Sequence, residues 1–472
     1  MAVEDKKKHI VMVVPRGEAI RNFLYSDTIK ILSKYARVTV LSVVDDPIFV
    51  DRFRAYTDKF IHIKETKKAP KILTSLQMVI HDAHFKWLKS AAAINYFEVN
   101  EKRAKEKGSL ARFRLRNIFI SPLANKKALQ ALTILENNLT WKYRAGTEFE
   151  QLFKELKPDL IFNTSHIHGP AGELAAKIGR KMGFRVAGFI FSWDNLFSRS
   201  RMTVRYNDYL VWTPKIKNDL LRIYPFVKGE DVHITGTPQF DYHFKDEFII
   251  PKDELARRIG FDPDRPYVLY STGIDRHVQQ EHLHIQSVID ILAEIALPDR
   301  PQLIVRTYAK GTSKETYAIR DKNIPGVFFP KVEWDEVTIT PSYNDLSVLS
   351  SLLRYTALGI NVASTMMLEL FMFKKPAINI AYSPPGSNLD YVMRHSRFLD
   401  FEHFKPVVKS GAAETVHNIT ELKTAIIEAF KNPKKHLKEQ EEFLKEMFGS
   451  TLDGKSGVRV AETLLKLAGV EV

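Results

Sequence analysis

The chain has no cysteine among its 472 residues, which excludes disulfides, thiolate metal sites, iron–sulfur clusters and cysteine nucleophiles. Any chemistry must use oxygen and nitrogen groups. Long apolar runs are missing too: none reaches the roughly 20 residues that span a bilayer. The apolar stretch in MAVEDKKKHIVMVV, ended by Arg16, is too short for the core of a signal peptide. The expected location is therefore cytoplasmic. No G-x-G-x-x-G follows the first apolar strand, so the dinucleotide fingerprint is absent. A hydrophobic content of 44% argues against disorder, and the length predicts roughly two or three domains.

What is present centres on ALGINVASTMMLELFMFKKPAINIAY, Ala357 to Tyr382. Leu358–Val362 and Pro376–Ile380 read as short buried strands, so Ser364–Phe373 is predicted as the crossover helix of an α/β unit. Ser364 and Thr365 fall at its start, where free backbone N–H groups and the helix dipole suit a phosphate. Glu369, one turn further on, could reach a ribose hydroxyl. A capped structural helix with Glu369 exposed is the alternative.

The same rhythm opens the chain. His9–Val14 is a predicted strand, Pro15-Arg16-Gly17-Glu18 a loop, Ala19–Tyr35 a helix and Val38–Val43 the next strand; Phe60–Ile63 is a weaker third. Arg16 could meet an anion and Glu18 a hydroxyl, or both could be surface residues. A helical insertion follows over about 71–143. The strands then resume at Pro158–Asn163 and Arg185–Phe191, separated by a helix over 168–182. Their carboxyl ends carry His166, His168 and Glu173, and Ser192-Trp193-Asp194-Asn195, all on the side where open parallel sheets bind ligands. Asp194 is a candidate general base with His166, His168 and Glu173 as rivals; turn chemistry is the plainer reading of Asp-Asn.

Tyr209–Pro214 and Val232–His243 complete a first domain, expected to end near residue 247. Asp246–Glu254 reads as a linker to a second domain over 248–472. There Pro266–Gly273 supplies a strand and the small turn Ser271-Thr272-Gly273, and Gln302–Thr307 a strand ending at Arg306, a candidate diphosphate partner.

The net charge of +14 is concentrated. Between Lys102 and Lys127 nine basic residues face one acidic residue, interleaved with Leu110, Phe113, Leu115, Ile118, Phe119 and Ile120. Such a patch suits an anionic membrane surface or polyanionic acceptor, or is a solvated helix face; no nucleic-acid motif accompanies it.

Two α/β halves, a Gly-x-Pro turn closing the first, Ser271-Thr272-Gly273 and Arg306 after strands of the second, and INVASTMMLELFMFKKPAIN together resemble the GT-B glycosyltransferase superfamily. Within it, TGTPQFD (Thr235–Asp241), Lys375-Pro376 and DGKSGVRVAETLL (Asp453–Leu465) are similar to CDP-glycerol glycerophosphotransferases and bacterial surface-polysaccharide enzymes. The resemblance implies two Rossmann-like domains facing a central cleft, with the nucleotide donor on the C-terminal domain, the acceptor on the N-terminal one, and a terminal helix crossing back. Two departures bear on mechanism. Asn361 stands eight positions before Glu369, where retaining members carry a first glutamate. Trp193-Asp194 stands where polyol-phosphate transferases have His-Gly.

The expectation is thus an inverting, metal-independent glycosyltransferase needing no cofactor beyond its nucleotide-sugar co-substrate, acting on a glycan or lipid-linked acceptor and peripheral to the membrane. Asp194, His168 and Glu173 are its catalytic candidates. Ser271, Thr272, Gly273, Arg306, Ser364, Thr365 and Glu369 would bind donor, and Arg16, Glu18 and His166 acceptor. A CDP-polyol phosphotransferase, a non-hydrolysing nucleotide-sugar epimerase and a non-catalytic nucleotide-sugar-binding protein are the alternatives.

Overall fold

Strand β1 (His9–Val14) is buried along its whole length and pairs in parallel on both sides, with β2 (Arg37–Ser42) and β4 (Leu160–Asn163). The computed structural model describes residues 7–63, 69–144, 148–167, 169–296, 299–309, 311–335 and 337–471. These divide into two units, Met1–Asp241 with Phe448–Val472, and Tyr242–Met447.

The first unit is built on a seven-stranded sheet of order β3-β2-β1-β4-β5-β6-β7, with β3 at Lys59–His62, β5 at Arg185–Phe189, β6 at Asp208–Val211 and β7 at Val232–Ile234. All its pairings are parallel. Because both faces are covered by helices, the inner strands are continuous apolar runs. The strand order reverses between β1 and β4, so their carboxyl ends frame a crevice.

The second unit repeats this plan in the order β10-β9-β8-β13-β14-β15, all parallel. Its strands are β8 (Tyr267–Ser271), β9 (Gln302–Arg306), β10 (Val327–Phe328), β13 (Leu358–Asn361), β14 (Ala377–Ile380) and β15 (Glu414–Val416). A separate antiparallel ribbon joins β11 (Trp334–Asp335) to β12 (Thr340–Pro341). The reversal here lies between β8 and β13.

Several expectations are corrected. Ala19–Tyr35 is not one helix but two, Gly17–Phe23 and Asp27–Tyr35, because the Ser26 hydroxyl accepts from the Thr28 N–H and starts a new helix. Residues 246–254 are not a free linker: they form a short 3-10 turn and open the helix Lys252–Ile259. The insertion, expected to be helical, consists of the helices Lys71–Leu88, Ala91–Glu106, Leu110–Ile120 and Lys126–Arg144 joined by short turns.

Two of the motifs that carried the family resemblance meet in the first unit. Both carboxylate oxygens of Asp241 accept from the first N–H groups of the helix Ser456–Leu467, from Ser456 at 3.1 Å and Gly457 at 2.8 Å. Arg459 Nε donates to the Thr235 carbonyl at 2.9 Å. At Gly236, φ is +77° and a Cβ would stand 2.5 Å from Ser456 Oγ, so only glycine fits that turn. TGTPQFD and DGKSGVR are therefore the two halves of one helix dock, with a structural role.

Candidate functional site

In the second unit, the carboxyl ends of β8, β9, β13 and β14 bring Ser271, Thr272, Gly273, Arg306, Ser364 and Thr365 to the same edge of the sheet. Arg306 is the most constrained of them. Its Nη2 donates to Asp345 Oδ2 at 2.5 Å, with both side chains buried. That carboxylate also accepts from Trp334 Nε1 at 2.7 Å and from the Glu333 N–H at 3.1 Å. The guanidinium is thus held rigidly, yet its Nη1 has no hydrogen-bond partner. A buried cation with an unused donor is a costly arrangement unless an acceptor arrives.

The turn after β13 is braced by two buried asparagines that lie side by side in the sheet register, Asn361 and Asn379. Asn379 Oδ1 accepts from the Ala363 N–H at 2.9 Å, and Asn361 Oδ1 from the Ser364 N–H at 3.2 Å. Because each Oδ1 faces an N–H, each Nδ2 is fixed as the other arm, and neither has a partner. Ala363, at φ +43°, is held in a left-handed turn by these bonds.

This overturns part of the expected phosphate site. The helix is Met366–Met372 and not Ser364–Phe373, and its opening amides are used internally: Met366 N–H donates to Ser364 Oγ at 3.3 Å and Met367 N–H to the Ser364 carbonyl at 3.1 Å. What the turn retains for an anion is side-chain amides and hydroxyls. Glu369 is not exposed either. It is buried, and its Oε2 accepts from His243 Nε2 at 2.9 Å while His243 Nδ1 bonds Ser350 Oγ at 2.9 Å. Gly273 differs from expectation in the same way. Its N–H donates to Glu281 at 2.8 Å, and a Cβ there would meet Val278 at 2.6 Å, so packing demands the glycine. Burial pushes the Glu281 carboxyl up to about 8. Thr272 Oγ1 accepts from the Tyr308 N–H at 3.0 Å and can still donate.

In the first unit the helix Pro170–Lys181 is pressed onto the loop after β1. A Cβ on Gly169 would lie 2.6 Å from the Pro15 carbonyl oxygen and one on Gly172 2.8 Å from Asn163 Oδ1. Beside this contact sit His166, Glu173 and Asp194, close enough that the two carboxylates raise the affinity of His166 for a proton. Burial outweighs them and lowers the imidazole to about 4, so it is neutral at physiological pH. Its Nδ1 lies between the Phe189 carbonyl oxygen (3.2 Å) and the Phe191 amide (3.3 Å). Asp194 accepts from Ser192 Oγ and Ser198 Oγ, each at 2.5 Å, and from Asn195 Nδ2 at 3.2 Å. These donors fix the orientation of the carboxylate at the carboxyl end of β5.

Glu173 has other commitments. Lys177 Nζ donates to it at 2.5 Å and to the fully buried Glu136 at 2.6 and 2.7 Å, and Thr203 Oγ1 also bonds Glu173. Burial works to raise the Glu173 carboxyl, but Lys177 and these hydrogen bonds prevail and hold it below its usual value. Through Lys177 these bonds tie the helix Pro170–Lys181 to the insertion, and they occupy the carboxylate that was expected to act as a base. Arg16 and Glu18 form an ion pair with each other, so neither is offered singly as expected. His168 lies outside the described residues.

No protein-family model matches the chain, and no curated protein matches its sequence. Its fold does match solved structures. A UDP-GlcNAc 2-epimerase from Neisseria meningitidis bound to UDP-GlcNAc is similar over 97% of this chain and 100% of its own, at TM-score 0.51 and 14% identity. The UDP-GlcNAc 2-epimerase from Methanocaldococcus jannaschii covers 97% and 99%, at TM-score 0.52 and 13% identity. A glycosyltransferase from Rickettsia africae covers 98% and 99%, at TM-score 0.49 and 11% identity. The chain has the GT-B fold, two Rossmann-like α/β units in one polypeptide.

Proposed function

We propose that the chain is a nucleotide-sugar-dependent enzyme that transfers a sugar to a hydroxyl of a cell-surface glycan or lipid-linked acceptor, with inversion and without a metal or further cofactor. The observation that carries this reading is Arg306. A guanidinium locked by Asp345, with Nη1 unpartnered and Ser271 opposite it in the strand register, is the arrangement a departing nucleoside diphosphate needs. Asp194 supplies the acceptor base. Ser364 and Thr365 would bond the phosphates through their hydroxyls, and Glu369 would act on the ribose through its bond with His243.

Non-hydrolysing epimerisation is the second reading, because solved structures with this fold include UDP-GlcNAc 2-epimerases. It uses the same donor pocket. Incubating the protein with a panel of nucleotide sugars and CDP-glycerol, and following its melting temperature, identifies the donor. Saturation at about 100 times Kd stabilises by about 2.7 kcal/mol. On the transferase reading a nucleotide sugar raises the melting temperature and nucleotide is released only with acceptor present. Conversion of UDP-GlcNAc at C2 with solvent deuterium uptake and no acceptor establishes the epimerase instead. Stabilisation by CDP-glycerol alone points to polyol-phosphate transfer.

Membrane contact belongs to the same proposal. Among the described residues no helix is long and apolar enough to cross a membrane. The helix Leu110–Ile120, however, leaves Leu115, Ile118 and Phe119 54%, 67% and 70% exposed. At i, i+3 and i+4 they form one stripe, with Arg112 one turn before it. Arg114 is bound to Glu101 at 2.9 Å and Arg116 to the buried Asp82, so Arg112 and Lys127 are the cations to remove. Replacing Arg112 and Lys127 with glutamine and Phe119 with serine should release the protein from anionic vesicles, since each basic residue near the surface contributes about 1 kcal/mol. Unchanged vesicle binding would make this stripe irrelevant to docking.

A further inference from the structure

The helical insertion, the helix Pro170–Lys181 and the segment before β6 line a cleft of about 220 Å³ that none of the residues discussed so far as catalytic lines. Trp141 and Asn138, from the helix Lys126–Arg144, line one wall. Arg180 and Lys181, in the last turn of the helix Pro170–Lys181, and Arg205, just before β6, line the other. The catalytic candidates lie near the start of that 170–181 helix. The cleft lining on this helix runs from Lys177 to Lys181, about 10–16 Å along the axis from its start, toward the amino ends of β5 and β6.

Three cations with no ion-pair partner among the described residues converge there. Neighbouring charges of this protein are treated differently: Lys177 is held by Glu136 and Glu173, and Arg185 takes both oxygens of Asp208 through Nε at 2.8 Å and Nη2 at 3.0 Å. Arg205 keeps that same side-on edge unused. Its Nε and Nη2 are buried and without any hydrogen-bond partner, while its plane stacks over the Phe226 ring at 4.7 Å from the centroid. A guanidinium oriented by stacking, with its bidentate edge unpaired, matches a carboxylate or phosphate in geometry and charge. The half-buried Trp141 indole offers a flat apolar face of the kind on which a sugar ring packs, and the Asn138 amide can both donate and accept.

We infer that this cleft is a second, non-catalytic binding site for an acidic saccharide, whose carboxylate or phosphate pairs with Arg205, Arg180 and Lys181 while its ring lies against Trp141. It would hold a charged stretch of glycan at a distance from the reacting hydroxyl. The inference does not depend on which reaction the donor site performs.

Isothermal titration of the full chain with trigalacturonate, with a phosphorylated maltotriose, with maltotriose and with inorganic phosphate tests it. One or both acidic oligomers should bind, which distinguishes carboxylate from phosphate as the anion, and maltotriose should bind at least tenfold more weakly. Arg180→Gln with Lys181→Gln should weaken the acidic ligand at least tenfold; both residues are exposed, so folding is spared. Arg205→Gln and Trp141→Ala should each do the same. Equal affinity for maltotriose, no binding of either acidic oligomer, or affinity unchanged in the Arg180/Lys181 double variant would each overturn the site. Inorganic phosphate binding as tightly as the oligomers, with Trp141→Ala without effect, would reduce it to a simple anion site and overturn the saccharide assignment. Turnover on a small neutral acceptor should be unchanged in the double variant.

Discussion

Replacing Asp194 with asparagine is expected to lower turnover by about 10²–10⁴-fold, the usual contribution of a general base, with donor affinity unchanged. The substitution keeps size and one acceptor oxygen; because Ser192 and Ser198 bond different carboxylate oxygens, one hydroxyl keeps its acceptor and the other must rotate to accept from the new amide N–H, which lets the turn survive. A purely structural Asp194 makes a different prediction. Ser198→Ala removes one of its hydrogen bonds and leaves the carboxylate in place, which costs roughly 0.5–1.5 kcal/mol of stability. If Asp194 is the base, Ser198→Ala lowers the melting temperature while turnover stays within several-fold. If Asp194 only organises the turn, both variants lose stability and activity together. Near-normal turnover in Asp194→Asn would sink the assignment and leave His166 as the remaining described rival. With its pKa lowered to about 4 by burial, His166 is a weak base but is neutral, and therefore competent, across the physiological range.

The first sheet and the four inner strands of the second were legible because a parallel sheet covered on both faces imposes unbroken apolar runs, as in HIVMVV and LIFN, whereas the edge strands Val327–Phe328 and Glu414–Val416 are too short and too half-buried to carry that signature. The helix break at Ser26 was legible too: Ser-Asp-Thr is an N-cap signal, obscured by the apolar periodicity running through it. Partners of the site residues were a different matter. Glu369 meets His243 from 126 positions away and Arg306 meets Asp345 from 39, and no local pattern encodes such pairs. A weak signal did exist for the asparagines. Asn361 and Asn379 each interrupt an apolar strand at its carboxyl end, where a buried amide needs a reason. In the sequence alone Asn361 is notable only for standing where retaining members carry a glutamate. Its actual task, bracing the Ala363–Ser364 turn, depends on the neighbouring strand supplying Asn379 in register. Similarly, Glu173 looked catalytic from its place near a strand end. Lys177 on the same helix and Glu136 on the insertion decide otherwise, and only the packing of the insertion shows it.

Arg306→Lys is expected to weaken binding of UDP or of the nucleotide-sugar donor by roughly ten- to a hundredfold with the fold retained. Lysine preserves a positive charge opposite Asp345, so that carboxylate, which also accepts from Trp334 and Glu333, is not left unbalanced in the interior. A single ammonium cannot hold Asp345 and reach a phosphate with a fixed second arm, as the guanidinium does with Nη2 and Nη1. The lost interaction is one charge-assisted hydrogen bond, about 1.5–3 kcal/mol, and this sets the expected change in Kd. Arg306→Met is the contrasting variant. It strips the buried carboxylate of its counter-charge, and breaking such a pair costs about 3–5 kcal/mol, which should appear as a large drop in melting temperature before any ligand is added. Titration calorimetry with UDP separates the two effects, because Arg306→Lys loses affinity at nearly constant stability. If Arg306→Lys binds UDP as the parent does, the arginine serves Asp345 alone and the diphosphate is held elsewhere.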